Sequence, residues 1–122
     1  MKKILILEDN IDVQESFSNM FKWKVVLLQA HNLKEAEELY EKNKDDLNLI
    51  ALDGNVPKNW SRFKDTVELA RHIRVDYKNA LYSISQDDEI KDEFKKIWFD
   101  WILGMKYELI KKVMDIIEWS KA

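Results

Sequence analysis

Leu47-Asn48-Leu49-Ile50-Ala51-Leu52-Asp53-Gly54-Asn55-Val56-Pro57 is the stretch on which the fold turns. A short apolar run closed by turn residues reads as a strand buried on both faces. Its last side chain before the turn is a carboxylate. The same pattern opens the chain: Ile4–Leu7 is apolar and ends in Glu8 and Asp9. Further strand candidates are Val25–Leu28, Ala80–Ser85 and the short Trp101–Leu103. Between them the apolar residues change to helical spacing. Val13, Phe17, Met20 and Phe21 make the first stripe, and Leu33, Ala36, Leu39 and Tyr40 the second. The later stripes are Phe63, Val67, Ala70 and Ile73; then Ile90, Phe94, Ile97 and Trp98; then Leu109, Val113, Ile116 and Ile117. Asn32 with Glu35 three residues on is a capping-box signature for the second helix. Strand and helix therefore alternate five times. That order predicts an α/β fold, a (βα)₅ doubly wound, five-stranded parallel sheet with helices on both faces.

Length and composition agree with one domain, expected over residues 1–122 with no output domain attached. Hydrophobic residues make up 46% and charged residues 35% of the 122, a globular balance rather than a disordered one. The net charge of −3 and the lack of a basic arm give no reason to expect nucleic-acid binding. Cysteine is absent, which rules out disulfides and thiolate metal sites. No apolar run nears the roughly 18 residues of a membrane span, so no membrane partner is expected. The apolar start stops at Glu8 without a small-residue cleavage site, so it reads as the first strand of a cytoplasmic protein rather than a signal peptide.

In an open parallel sheet, ligands bind beyond the carboxyl ends of the strands. The first strand delivers Glu8 and Asp9 there, the third Asp53, and the fourth Ser85, with Ser83 two residues earlier on the same face. Lys106 follows the fifth strand. Three converging carboxylates call for a cation, and hard oxygen ligands suit Mg²⁺. A metal, a free carboxylate, a hydroxyl and an ammonium together make a phosphoryl-transfer site. Each residue alone also has a plainer reading. Glu8 and Asp9 are placed to cap the first helix, Asp53-Gly54 to make a turn, and Lys106 to sit on the surface.

On these residues the chain resembles the receiver domain of two-component response regulators over essentially its full length. Lys3-Ile4-Leu5-Ile6-Leu7-Glu8-Asp9-Asn10 is similar to the family's first strand and acidic pair. Leu49–Pro57 is similar to its phosphoacceptor strand, and Glu68-Leu69-Ala70-Arg71-His72-Ile73-Arg74 to its third helix. The resemblance implies Asp53 as phosphoacceptor, and Glu8, Asp9 and Asp53 as Mg²⁺ ligands, completed by the Asn55 carbonyl. It implies a phosphohistidine donor on a histidine kinase or phosphotransfer protein, and a downstream protein target. It also implies that partners, a second copy included, meet the face of helix 4, strand 5 and helix 5. The only chemistry expected is self-phosphorylation and autodephosphorylation with Mg²⁺, not an enzyme's turnover of a separate substrate.

The chain departs from the family pattern in places. The switch hydroxyl is Ser85 or Ser83, with Ser85 preferred, and the switch aromatic is Trp101. The family's Lys-Pro pair is not intact, and strict spacing puts Gly104 or Met105 where the lysine belongs, with Lys106 just beyond. Lys58–Arg62 reads as an insertion, in which Trp60 is either a shield for the phosphoryl group or a packing anchor. Thr66 stands where the family usually has glycine. His31 and His72 have no metal-ligand or triad spacing. Two rival readings follow from the same residues. One is a receiver-like interaction module that no longer accepts a phosphoryl group. The other is a small phosphatase of the haloacid-dehalogenase type, which wants a second aspartate where Asn55 stands.

Overall fold

Alternation within each strand decides which helices cover which face of the sheet. The computed structural model describes residues 1–57, 61–85, 87–97 and 100–119, and for Trp101 and Trp119 the backbone alone. The strands are β1 (Lys3–Leu7), β2 (Val26–Ala30), β3 (Leu49–Asp53), β4 (Ala80–Ile84) and β5 (Trp101–Leu103). The helices are α1 (Ile11–Phe21), α2 (Leu33–Asn43), α3 (Thr66–Asp76), α4 (Asp88–Lys95) and α5 (Lys106–Trp119). All strand pairs are parallel, in the order β2-β1-β3-β4-β5. Leu5, Leu7, Ile50, Leu52 and Leu81 face α2, α3 and α4. Ile4, Ile6, Leu49, Ala51 and Ile84 face Phe17, Phe21, Leu109 and Val113 of α1 and α5. Burying one such aliphatic side chain stabilises by about 2 kcal/mol. This double covering explains why β1 and β3 read as unbroken apolar runs.

Several boundaries differ from the sequence reading. β2 is an edge strand, so Val26 is exposed and the strand runs on to Ala30 rather than covering Val25–Leu28. β4 ends at Ile84, leaving Ser85 just beyond it. Phe63 belongs to the loop before α3, and Ile97 lies past the end of α4; both are buried as loop anchors of the core. On α1 the buried face carries Gln14, Phe17 and Phe21, while Met20 points out. Asn32 does cap α2 by accepting from the Glu35 amide. The return bond, however, runs from the His31 amide to Glu35 Oε1, one residue earlier than in a capping box. No helix among the described residues is long and apolar enough to cross a membrane. Trp60, Trp98 and most of the 58–62 insertion lie outside the described residues, as does the Trp101 side chain.

Candidate functional site

The strand order reverses between β1 and β3, because β1 has β2 on one side and β3 on the other. At such a switch point the loops diverge and leave a crevice at the carboxyl ends. β1 runs out at Leu7 and β3 at Asp53, which places Glu8, Asp9 and Asp53 around that crevice. One carboxylate oxygen from each lies within 4.8 Å of the others. Glu8 and Asp53 are buried and Asp9 is exposed. A cleft of about 750 Å³ opens over them, lined among others by Asp9, Asp53, Asn55, Ser85 and Lys106.

Local hydrogen bonds hold the acids in this arrangement. Glu8 Oε2 accepts from the Asn10 amide at 2.9 Å, and Asp53 Oδ1 from the Asn55 amide at 2.9 Å. The cap of α1 is Asn10, whose Oδ1 accepts from Asp12 and Val13. Glu8 and Asp9 thus precede the cap rather than supply it, and Glu8 bonds the amide of the cap residue. Gly54 is not required by a left-handed turn. A Cβ there would stand 2.8 Å from Ile90 Cγ2 and 2.9 Å from Phe94 Cε2, so the glycine lets α4 press against the chain next to Asp53.

Lys106 is the first residue of α5, and its ammonium pairs with Glu8 Oε1 and lies 3.7 Å from Asp53 Oδ2. Gly104 and Met105, where strict spacing would put the lysine, sit on the cleft wall without a charge. Glu8 is buried, so this ion pair sits at the inner edge of the cleft. Partial burial pulls the Lys106 pKa down, but the contact with Glu8 and the charges of Glu8, Asp53 and Asp9 outweigh it, and the net direction is up. Desolvation pushes the Asp9 carboxyl up first, and its contact with Glu8 and that residue's charge add to it. Like charges about 4–5 Å apart repel by roughly 3–4 kcal/mol at an effective dielectric of about 20. With all three acids ionised and Lys106 protonated, the three carboxylates and one ammonium leave the cluster at −2. A divalent cation matches that remainder. The donor set is all oxygen, and one face of it opens to the cleft. These are the requirements of Mg²⁺, which prefers carboxylates and keeps part of its water shell.

Ser83 on β4 and Ser85 just past its end separate. Ser85 is buried but lines the cleft, its amide bonds the Leu103 carbonyl at 3.0 Å, and its hydroxyl accepts from the Asp87 amide at 3.1 Å. Ser83 is fully buried one step deeper, and among the described residues its hydroxyl has no hydrogen-bond partner. Asn55 is on the cleft wall, with its amide tied to Asp53.

Two buried polar residues at the base of the site were missed by the sequence reading as site residues. Gln14 Nε2 donates to the carbonyls of Ala30, Glu8 and Ile6 at 2.9, 3.1 and 3.3 Å. Thr66 Oγ1 donates to the Asp53 carbonyl at 2.9 Å. The signal for Gln14 was a polar residue on the apolar stripe of a helix. For Thr66 it was a hydroxyl in place of glycine.

No protein-family model matches the sequence, and no curated protein matches it significantly. Solved structures do. A response regulator receiver domain from Clostridium thermocellum superposes with a TM-score of 0.75 at 15% identity, covering 99% of this chain and 98% of that one. The chemotaxis response regulator CheY4 of Vibrio cholerae gives a TM-score of 0.76 at 18% identity, covering 96% and 98%. The CheX–CheY–BeF₃–Mg²⁺ complex from Borrelia burgdorferi gives 0.71 at 15% identity, covering 94% and 88%. With five parallel strands in the order β2-β1-β3-β4-β5 and this likeness over nearly its whole length, the chain has the fold of the response-regulator receiver domains.

Proposed function

We propose that the protein is a phosphoryl-accepting signalling module of the two-component kind, with Asp53 as the acceptor. The observation that carries this reading is the seating of Lys106 against the Glu8–Asp9–Asp53 cluster at the mouth of a cleft. In the proposed step an Asp53 carboxylate oxygen attacks the phosphorus of a phosphohistidine on a histidine kinase or phosphotransfer protein. The P–O bond forms as the P–N bond breaks, and the donor imidazole leaves with the electron pair. Glu8, Asp9 and Asp53, with the Asn55 carbonyl, would hold Mg²⁺. Bound there, the ion supplies charge neutralisation on the transferring oxygens. Lys106 pairs with a second oxygen, and the Ser85 hydroxyl donates to a third. The Borrelia complex named above contains Mg²⁺ and BeF₃, which supports the same pair of ligands here.

The reach of Lys106 from the first residue of α5 to Glu8 and Asp53 supports this reading over a module without phosphorylation, which the displaced lysine suggested. The signal would pass to a downstream protein through the face of α4, β5 and α5, which also serves for pairing with a second copy. We place this activity in the cytoplasm, where such donors are found.

The test is incubation with Mg²⁺ and acetyl phosphate, followed by intact-mass and peptide analysis. The expected result is a gain of one phosphoryl group on Asp53. Asp53→Asn should abolish it and leave the fold and its stability intact, since an uncharged side chain of the same shape relieves the crowding of carboxylates. A wild-type chain that binds Mg²⁺ and never gains the mass would overturn the reading, and so would labelling that persists in Asp53→Asn.

A further inference from the structure

Among the described residues, the buried polar or charged side chains are Glu8, Asp53, Ser83, Ser85, Gln14 and Thr66. Burying a polar group is unfavourable unless it finds a partner. Gln14 and Thr66 both find theirs on main-chain carbonyls of the buried acids. Gln14, on α1, donates to the Glu8 carbonyl and to those of Ile6 and Ala30 beside it. The Gln14 amide is itself fixed, because Gln29 Nε2 of β2 donates to Gln14 Oε1 at 2.8 Å and to the Gln14 carbonyl at 2.6 Å. Thr66, on the first turn of α3, donates to the Asp53 carbonyl across 13 positions of chain and so closes the base of the loop that follows the acid. Two unrelated elements thus reach the two buried acids in the same way, from behind and through the backbone.

The three carboxylates repel one another, and Lys106 offsets only part of that charge. A chain free to relax would let its strand ends swing apart and spread the oxygens beyond 4.8 Å. We infer that Gln14 and Thr66 are positioning residues. By anchoring the Glu8 and Asp53 carbonyls they hold the acids at cation-binding separation before any cation arrives. This inference rests on the proposed Mg²⁺ site for its consequence, but the anchoring can be read without the ion. Hydrogen bonds made to metal-ligating side chains themselves typically contribute 10–100-fold to metal affinity, and the lower end of that range is the expectation for anchors that act through the backbone. Pre-organisation of this kind acts by lowering the reordering that binding would otherwise require.

The experiment compares the full-length wild type with Thr66→Val, which keeps the shape and removes the donor, and Thr66→Ser, which keeps the donor. Gln14→Met is the matching variant on α1, and it supplies the comparison if Thr66→Val does not fold. Amide hydrogen exchange without divalent cation reads the acid's geometry directly, because the Asn55 N–H is bonded to Asp53 Oδ1 and the Asn10 N–H to Glu8 Oε2. Thr66→Val should speed exchange at Asn55 while the slow amides of the β1 core change far less. Gln14→Met should do the same at Asn10, and Thr66→Ser should restore the wild-type rate. Mg²⁺ titration by NMR, well below each melting temperature, should show affinity weakened about tenfold in Thr66→Val and Gln14→Met. If both variants lose only global stability, with exchange rising evenly and Mg²⁺ affinity unchanged, the residues merely pack and the inference fails. If wild type binds no Mg²⁺ but the selective exchange effects appear, the positioning role stands and the proposed function falls.

Discussion

Ser83 and Ser85 leave β4 on the same side, yet their hydroxyls face different surroundings, and this sets up opposite expectations for the two alanine variants. The Ser83 hydroxyl is desolvated without a partner among the described residues. Deleting such a group removes a penalty, so Ser83→Ala should be neutral or stabilising by up to about 1 kcal/mol, measured by urea denaturation. The Ser85 hydroxyl lies at the cleft. If it donates to the transferring group, Ser85→Ala should slow phosphorylation by acetyl phosphate on the order of 10²-fold, as loss of one pre-organised donor does elsewhere. Equal phosphorylation rates in wild type and Ser85→Ala would remove Ser85 from the chemistry. The acids themselves were legible in sequence, because each ends an apolar run and strand ends converge in this topology. The serines could be ranked only weakly, since alternation puts both on one face and says nothing of depth. Gln14 and Thr66 were harder still. A buried donor is recognised by where its partner carbonyl lies in space, and no periodicity encodes that.

At the scale of elements, α4 is held close to the end of β3. Gly54 follows Asp53 directly, its amide bonds the Ile84 carbonyl at 2.8 Å, and Ile90 and Phe94 of α4 fill the space a side chain would need. Phe94 is fully buried and cannot swing away. Gly54→Ala should therefore push α4 outward and destabilise by about 1–3 kcal/mol, the usual result of overpacking. Its chemical-shift changes should concentrate on α4 and spare β1. Stability within about 0.5 kcal/mol of wild type, with α4 shifts unmoved, would show that the close approach is not tight. Asp53-Gly54 had a plain reading as a turn, and only the packing shows why glycine is there. The elements were otherwise readable to the extent that their periodicity was strong. Doubly covered β1 and β3 stood out as apolar runs. The edge strand β2 was misplaced by a residue or two, because Gln29 interrupts its apolar run and Val26 is exposed. Phe63 and Ile97 fell in register with helical stripes while belonging to loops, since a core accepts apolar anchors from either.

Across the whole molecule, two sets of carboxylates respond to acid with opposite sign. Asp76 is held below its usual range first by the Tyr40 hydroxyl, which donates to it at 2.5 Å, and then by Lys44. His72 and then Lys44 do the same for Glu41, and Lys96 and then Arg71 for Glu93. These contacts tie α2 to α3 and α3 to α4. A carboxyl with a depressed folded pKa adds stability above its unfolded pKa and loses it as pH falls through the folded value. Asp9 is the reverse, raised by desolvation and by Glu8. Its protonation favours the folded state, so its contribution is fully present below the unfolded value near 3.8 and is lost as pH rises through the raised one. Acidifying from neutrality therefore protonates Asp9 first and relieves the cluster, and only later breaks the helix-to-helix pairs. Without divalent cation, stability should pass through a shallow maximum on the acid side of neutrality before it falls. The rise should be small, because Asp9 is exposed and solvent screens it. If Mg²⁺ binds there as proposed, saturating ion would stabilise the ionised cluster by mass action, so it should remove the maximum and leave a monotonic decline. Urea denaturation across a pH series, with and without Mg²⁺, makes the comparison. A monotonic decline in both series, with no gap between them at neutral pH, would mean that the three acids are neither crowded nor relieved by a cation.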